Sequence, residues 1–387
     1  MVTPATWYLY PWDVLGDPEA AGRLAALGVR SVALAAAYHS VRAATPRHPR
    51  RRVVDARHAA LYVPVREAAW RHARLAPESG AAWTGSEDAY GEARDALARH
   101  GVEVDAWVVL THSSLLGGRH PGLVARNAFG EAYPYALCPS APEVREYARL
   151  LVREVVAQGR PGGLVAEACG PMGFGHQGCH EKTAGADWSP LEERLLSLCF
   201  CAACRDALAA AGCDPDALAA RVRAALGAGE ATGGPAPGGA AGMDEVLEEV
   251  LKDGAAAVLA VRAAGVAALR DAVAEEAAGV PRLAFHASPD PWATGPAAHV
   301  TGGGRLIVPC WEGGVEALRA MRAAAGPAAR LGAYVTVLPP RPADAAALAG
   351  HWRRLREAGA SELHVYHAGL ASAARLEAAA AALRATA

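Results

Sequence analysis

Cys199, Cys201 and Cys204 stand in a C-x-C-x-x-C spacing. Tetrahedral Zn²⁺ takes three or four soft ligands, and one tight turn can supply most of them. The fourth ligand has to come from elsewhere in the chain. Cys138, Cys169, Cys179, His176 and His180 are the candidates. Upstream of the thiols, the apolar run 164–166 ends on a single carboxylate, Glu167. An acid delivered by a buried strand can have its pKa raised by desolvation, which suits it to general acid work. The plainer role for such a residue is an ion pair with an arginine at a sheet rim.

Acid-assisted cleavage of a glycosidic bond usually needs two carboxyl groups, one protonated and one ionised. Glu312, which follows Pro309-Cys310-Trp311, is the first choice for the second group. Asp290 is the second choice and Asp13 the third. A separation of about 5 Å would predict retention of configuration, and about 6.5 to 9.5 Å inversion.

Histidines and aromatic residues gather where short apolar segments end: His39, His112, His286 and His367, with Tyr10, Trp12, Tyr38 and Tyr366. Together with Trp311 they offer hydroxyls, imidazoles and ring faces suited to a polar, ring-shaped ligand. His176 and His180 lack the Glu of H-E-x-x-H and lie in a Gly-rich stretch, so they do not read as a zinc protease. Lys182 in the same stretch is a poor candidate for Schiff-base chemistry.

These residues need a scaffold that brings them to one end. Short apolar segments at 7–10, 30–38, 102–110, 164–167, 282–285, 305–308, 332–337 and 362–365 alternate with helical patterns. Most run straight into polar or aromatic residues. The count and alternation predict a single (β/α)₈ TIM barrel over residues 1–387, with its chemistry at the C-terminal ends of the strands. Long loops are expected after strands two, three and four, and a flexible Gly/Ala/Pro-rich insertion at 227–242. One helix is expected over 190–211, carrying the thiol cluster, and another over 243–278. An open doubly wound sheet is disfavoured, because no G-x-G-x-x-G follows the first strand. No organic cofactor is expected.

Composition narrows the function classes. The net charge of −2 gives no nucleic-acid or membrane-surface footprint. The cluster Arg47, Arg50, Arg51 and Arg52 reads as a solvated or substrate-facing loop. The N-terminus has no secretory pattern, and no run approaches the ~18 apolar residues of a membrane span. A cytoplasmic location is therefore expected, and clustered thiols there are metal ligands more often than disulfides. Cys169, Cys213 and Cys310 read as small buried hydrophobes.

The segment Leu137-Cys138-Pro139-Ser140-Ala141-Pro142-Glu143, then the strand ending on Glu167, then Cys-Phe-Cys-Ala-Ala-Cys, resembles the zinc-containing β-galactosidases and related clan A barrel glycoside hydrolases. The likeness runs from residue 137 to 205. It implies that Cys138, Cys199, Cys201 and Cys204 bind one structural zinc and that Glu167 is the general acid/base. It also implies a carbohydrate substrate. Two positions depart from the family. Ala166 stands where an Asn usually precedes the acid, and the seventh strand runs into Thr336-Val337-Leu338-Pro339 without the usual nucleophilic Glu. Two other readings stand beside this one, the second of them supported by the absent strand-seven Glu. One is a histidine-rich barrel lyase, isomerase or metal-assisted hydrolase, with a second metal at His39, His112 or His286. The other is a catalytically inactive sugar-binding barrel.

Overall fold

The computed structural model describes residues 3–175, 182–227, 239–300, 302–311 and 313–386. Eight parallel strands close on themselves: β1 Ala5–Leu9, β2 Ser31–Tyr38, β3 Glu103–Val109, β4 Gly163–Glu167, β5 Leu283–Ser288, β6 Arg305–Pro309, β7 Arg330–Thr336 and β8 Glu362–Tyr366. Each pairs with the next in chain order, and β8 pairs back onto β1, with Trp7 opposite Val365. The expected (β/α)₈ barrel is the fold. Its strands are rich in Ala, Val and Leu because both faces are covered, one by the barrel interior and one by helices. In β2, every residue from Val32 to Tyr38 is buried.

The helices begin at sequence signals that satisfy their free N–H groups. Asp88 accepts from Gly91 N ahead of Ala89–Ala98. Ser189 and Glu192 form a reciprocal capping box ahead of Pro190–Leu196. Asp344 and Ser372 cap the helices Ala345–Glu357 and Ala373–Ala385.

The three long loops fall where expected, and each carries structure. After β2 comes the hairpin Val41–Ala44/Val53–Ala56, then Ala60–Leu61, which pairs antiparallel with the end of β2. After β3 come the helix Ser114–Arg119 and the hairpin Val124–Arg126/Ala132–Leu137. After β4 a helical extension builds an apolar cluster apart from the barrel core, with Leu195, Phe200, Leu218 and Leu247, which Trp292 joins from the loop after β5.

Three element boundaries differ from expectation. The helix expected over 190–211 is two, Pro190–Leu196 and Ala202–Ala210. Ser197 turns its hydroxyl back to Glu193 O and accepts from Phe174 N, so the first helix ends there. The helix expected over 243–278 is also two, Gly239–Leu251 and Gly254–Glu276, parted at Lys252, whose φ is 52°. Strand β5 runs on to Ser288, which draws His286 into the barrel wall. Of the proposed insertion, residues 228–238 lie outside the described residues. No described helix is long and apolar enough to cross a membrane.

Candidate active site and metal centre

Side chains two apart on a strand share a face, so the barrel interior is filled in layers. The upper layer holds the candidate acid. Glu167, the last residue of β4, is buried, at 7% exposure. Its Oε2 accepts a hydrogen bond from Trp107 Nε1 on β3 at 2.7 Å. His286 Nε2 on β5 lies 3.8 Å from the same oxygen. Burial pushes the Glu167 pKa from 4.5 up to about 7, and the Trp107 hydrogen bond pulls against it. Burial, with His364 nearby, holds His286 down to about 3, so its ring is neutral. A carboxyl that exchanges its proton near neutral pH beside a neutral imidazole can both give and take a proton.

Aromatic rings surround this carboxyl. Tyr8 on β1 packs edge-on against Trp107, with centroids 4.8 Å apart, and Tyr334 on β7 packs edge-on against His286 at 4.7 Å. Burial, then the charge of Glu167, raises the Tyr334 phenol, so it remains a hydroxyl donor. Trp311, just beyond β6, lies 5.2 Å from the ring of Tyr366 and 5.7 Å from that of Tyr334. It is 41% exposed, a large apolar face turned to solvent.

On the opposite rim Tyr38 stacks on His39 at 4.1 Å, and His39 meets His112 at 4.2 Å. Tyr38 also packs against Trp107 at 4.5 Å. The structure therefore gathers Tyr38, His39, His112, Trp311 and Tyr366 with Glu167 at the C-terminal end of the barrel, while His286 is buried in the wall beside that carboxyl.

The other carboxylates stand differently. Asp290 is held by Arg194 at 2.8 Å and accepts from Trp292 N at 2.8 Å, which ties it to the helical extension. Glu312 lies outside the described residues, between Trp311 and Gly313. Asp13 is buried beside His367, with Oδ2 4.0 Å from its Nδ1 and accepting from Tyr10 N at 2.8 Å. Burial pushes Asp13 up to about 7 against the pull of Tyr10 N, Arg47 and Arg51. β7 ends on Thr336, whose hydroxyl accepts from Leu338 N.

Sequence reasoning missed Tyr8, Trp107, Tyr334 and His364. All four lie inside strands, where their rings read as apolar filler. Their polar atoms were the available signal, since a polar atom inside a strand buried on both faces needs a partner.

The thiol cluster is built by two loops. Cys138 N donates to Leu123 O at 2.8 Å at the base of the β3 loop hairpin, and Phe200 N donates to Arg126 O at 2.6 Å. These bonds lay the turn 197–201 against the hairpin. The sulfurs of Cys138, Cys199, Cys201 and Cys204 lie within 4.8 Å of one another. Cys138 and Cys204 are 3.5 Å apart, and Cys138 and Cys199 are 3.9 Å apart. A tetrahedral zinc with Zn–S bonds of ~2.3 Å spaces its sulfurs ~3.8 Å apart. The four thiols can therefore hold a metal ion, and theirs is the one group of metal-ligating geometry among the described residues. Of the other candidates for a fourth ligand, Cys169 lies apart and buried, while His176, Cys179 and His180 are outside the described residues. Cys310 is buried and Cys213 half-buried.

No protein-family model matches the sequence, and a search of curated proteins finds no match. Solved structures do resemble the chain. α-L-Fucosidase isoenzyme 2 from Paenibacillus thiaminolyticus aligns over 99% of this chain and 49% of its own, with a TM-score of 0.58 and 13% identity. The catalytic domain of β-amylase from Paenibacillus polymyxa aligns over 96% of this chain and 94% of its own, with a TM-score of 0.55 and 13% identity. β-Galactosidase from the psychrophilic Marinomonas ef1 aligns over 99% of this chain and 59% of its own, with a TM-score of 0.51 and 12% identity. The chain spans about half the length of the fucosidase. What these likenesses show is the fold: the chain carries the same (β/α)₈ barrel as these three structures.

Proposed function

We propose that the protein is a glycoside hydrolase-like enzyme that cleaves a carbohydrate substrate, with Glu167 as general acid/base. The observation that carries this reading is the Glu167 carboxyl, buried at the strand-four end with its pKa pushed up to about 7. A group poised there protonates a leaving oxygen at neutral pH and takes a proton back from water. Trp311 supplies a platform for one sugar face, while Tyr38, His39, His112 and Tyr366 position hydroxyls.

For the second carboxylate, Glu312 is favoured over Asp290. Its neighbour Trp311 packs on Tyr334 and Tyr366 beside Glu167, whereas Asp290 is neutralised by Arg194. Cys138, Cys199, Cys201 and Cys204 hold one structural zinc that ties the β3 hairpin to the β4 extension. Sulfur spacings close to those of a tetrahedral site support this assignment. When bound, zinc there supplies cross-linking rather than reaction chemistry.

Screening the purified protein against a panel of aryl glycosides tests the function. Turnover of at least one, reduced in Glu167→Gln most where the leaving phenol is least acidic, is the expected result. No turnover of any would rule the reading out in favour of a sugar-binding barrel.

A further inference from the structure

A line of polar side chains runs down the barrel axis beneath Glu167, and the proposed reaction leaves it without a role. Glu362 and His364, two apart on β8, share the inward face. Glu362 Oε1 lies 3.4 Å from His364 Nε2. His364 Nδ1 lies 3.3 Å from the hydroxyl of Tyr8, and that hydroxyl lies 3.0 Å from His286 Nε2. His286 Nε2 in turn faces Glu167 Oε2 at 3.8 Å. At the far end Glu362 is ion-paired with Arg305 beside a cavity of about 160 Å³ at the N-terminal mouth of the barrel. Glycine 332 on β7 leaves room for the His364 ring, since a Cβ there would lie 2.6 Å from Cδ2.

The hydrogen bonds in this line have one consistent direction. Burial raises Glu362, but His364 and Arg305 outweigh it and hold the pKa down to about 2, so the carboxylate only accepts. His364 must therefore carry hydrogen on Nε2, which leaves Nδ1 to accept from Tyr8. Tyr8 has one hydrogen. Having donated it to His364, its oxygen accepts from His286, which must carry hydrogen on Nε2. His286 Nδ1 then keeps only a lone pair, and it is buried with no partner. The reverse direction would place a buried N–H at that unpartnered atom, a costlier arrangement.

We propose that Tyr8, His286 and His364 are positioning residues: a one-directional hydrogen-bond chain anchored on Glu362 sets the tautomer of His286, so that Nε2 donates its hydrogen to Tyr8 and presents an N–H rather than a lone pair beside Glu167 Oε2. The positive end of that N–H dipole, set from the opposite end of the barrel, stabilises the ionised form of the acid without a hydrogen bond to it. It rests on the reading of Glu167 as the acid only for its consequence, since the tautomers exist without any reaction. Glu167 is faced by Trp107 of β3, His286 of β5, Tyr8 of β1, Tyr38 of β2, Tyr334 of β7 and Tyr366 of β8. Of these, Trp107 and His286 carry ring N–H groups.

The test uses the full chain labelled with ¹⁵N-histidine. Long-range ¹H–¹⁵N spectra are assigned with His286→Gln and His364→Gln. The expected result is the Nε2–H tautomer at both rings in the wild type between pH 6 and 8. An Nδ1–H tautomer at His286, or a doubly protonated His364 throughout, would overturn the proposal. The wild-type spectrum decides this even if a variant fails to fold.

In folded Glu362→Gln the direction is lost. The His286 tautomer should become mixed, and the infrared midpoint of the Glu167 carboxyl should rise by about one pH unit, tenfold in proton affinity. A midpoint and tautomer both unmoved in that variant would also overturn the proposal. If the tautomers are as stated while Glu167 titrates as an ordinary carboxylate, the chain stands and the acid role falls.

Discussion

Trp107 Nε1 donates to Glu167 Oε2 across the β3–β4 pair at 2.7 Å, the shortest polar contact of the candidate acid. The bond favours the ionised carboxylate, while burial favours the acid, and the balance leaves the pKa at about 7. Replacing Trp107 with Phe removes the donor and keeps an aromatic ring. The Glu167 midpoint should then rise by about one pH unit. A pH–rate profile reads this as an upward displacement of the limb governed by Glu167. An unchanged profile would mean that the bond does not tune the acid.

The same burial has a consequence for stability. The folded chain keeps a proton on Glu167 between about pH 4.5 and 7, where the unfolded chain has released it. Stability from this group is therefore present below pH 4.5 and is lost as pH rises toward 7. Glu167→Gln has no such loss. Its stability relative to wild type should grow across that window by up to ~3 kcal/mol. Thermal melts of both proteins at several pH values check this, and a gap that stays constant with pH counts against the raised pKa.

The cysteine cluster predicts one tightly held metal ion per chain. Cys199→Ser should lose the metal and at least ~3 kcal/mol of stability, because the ion cross-links two loops and its loss leaves buried thiols without their partner. Cys213→Ser, half-buried and outside the cluster, should keep both. Elemental analysis with parallel melts measures the two effects. Metal loss that abolishes activity while leaving the melting curve unchanged would contradict a structural role.

The two remaining carboxylates separate by what they touch. Asp290→Asn breaks a partly exposed pair with Arg194 and should cost ~1 kcal/mol or less, with turnover retained. Glu312→Gln should cut kcat by at least ~10²-fold with little change in stability. The opposite pattern would exchange their roles. At Trp311, substitution by Ala should raise KM with kcat nearly constant, as expected for a platform that binds substrate and transition state alike.

The barrel was legible because each strand is a short apolar run that breaks into polar residues, a pattern that a sheet covered on both faces imposes. The helical boundaries at Ser197 and Lys252 were not, since apolar residues at helical spacing continue across both turns and only tertiary hydrogen bonds decide where the helix stops. The rim residues Tyr38, His39, His112, Trp311 and Tyr366 could be found from their place at strand ends. Trp107 and Tyr8 could not, because the partners that make them functional, Glu167 and the two histidines, come from strands far apart in the chain. His286 was expected at the rim beside substrate, and the longer β5 instead places it in the barrel wall beside Glu167. Asp290 sits near a strand end too, but its partner Arg194 comes from the extension, and no local spacing announces that pair.

The central claim is that Glu167 gives a proton to the leaving group. Its most direct test compares wild type and Glu167→Gln on two glycosides of one sugar, one with an acidic phenol as leaving group and one with an alkyl alcohol. The account predicts a small loss for the phenol, which departs without protonation, and a loss of ~10² to 10⁴-fold for the alcohol. Equal losses on the two substrates, or no loss on either, would contradict it.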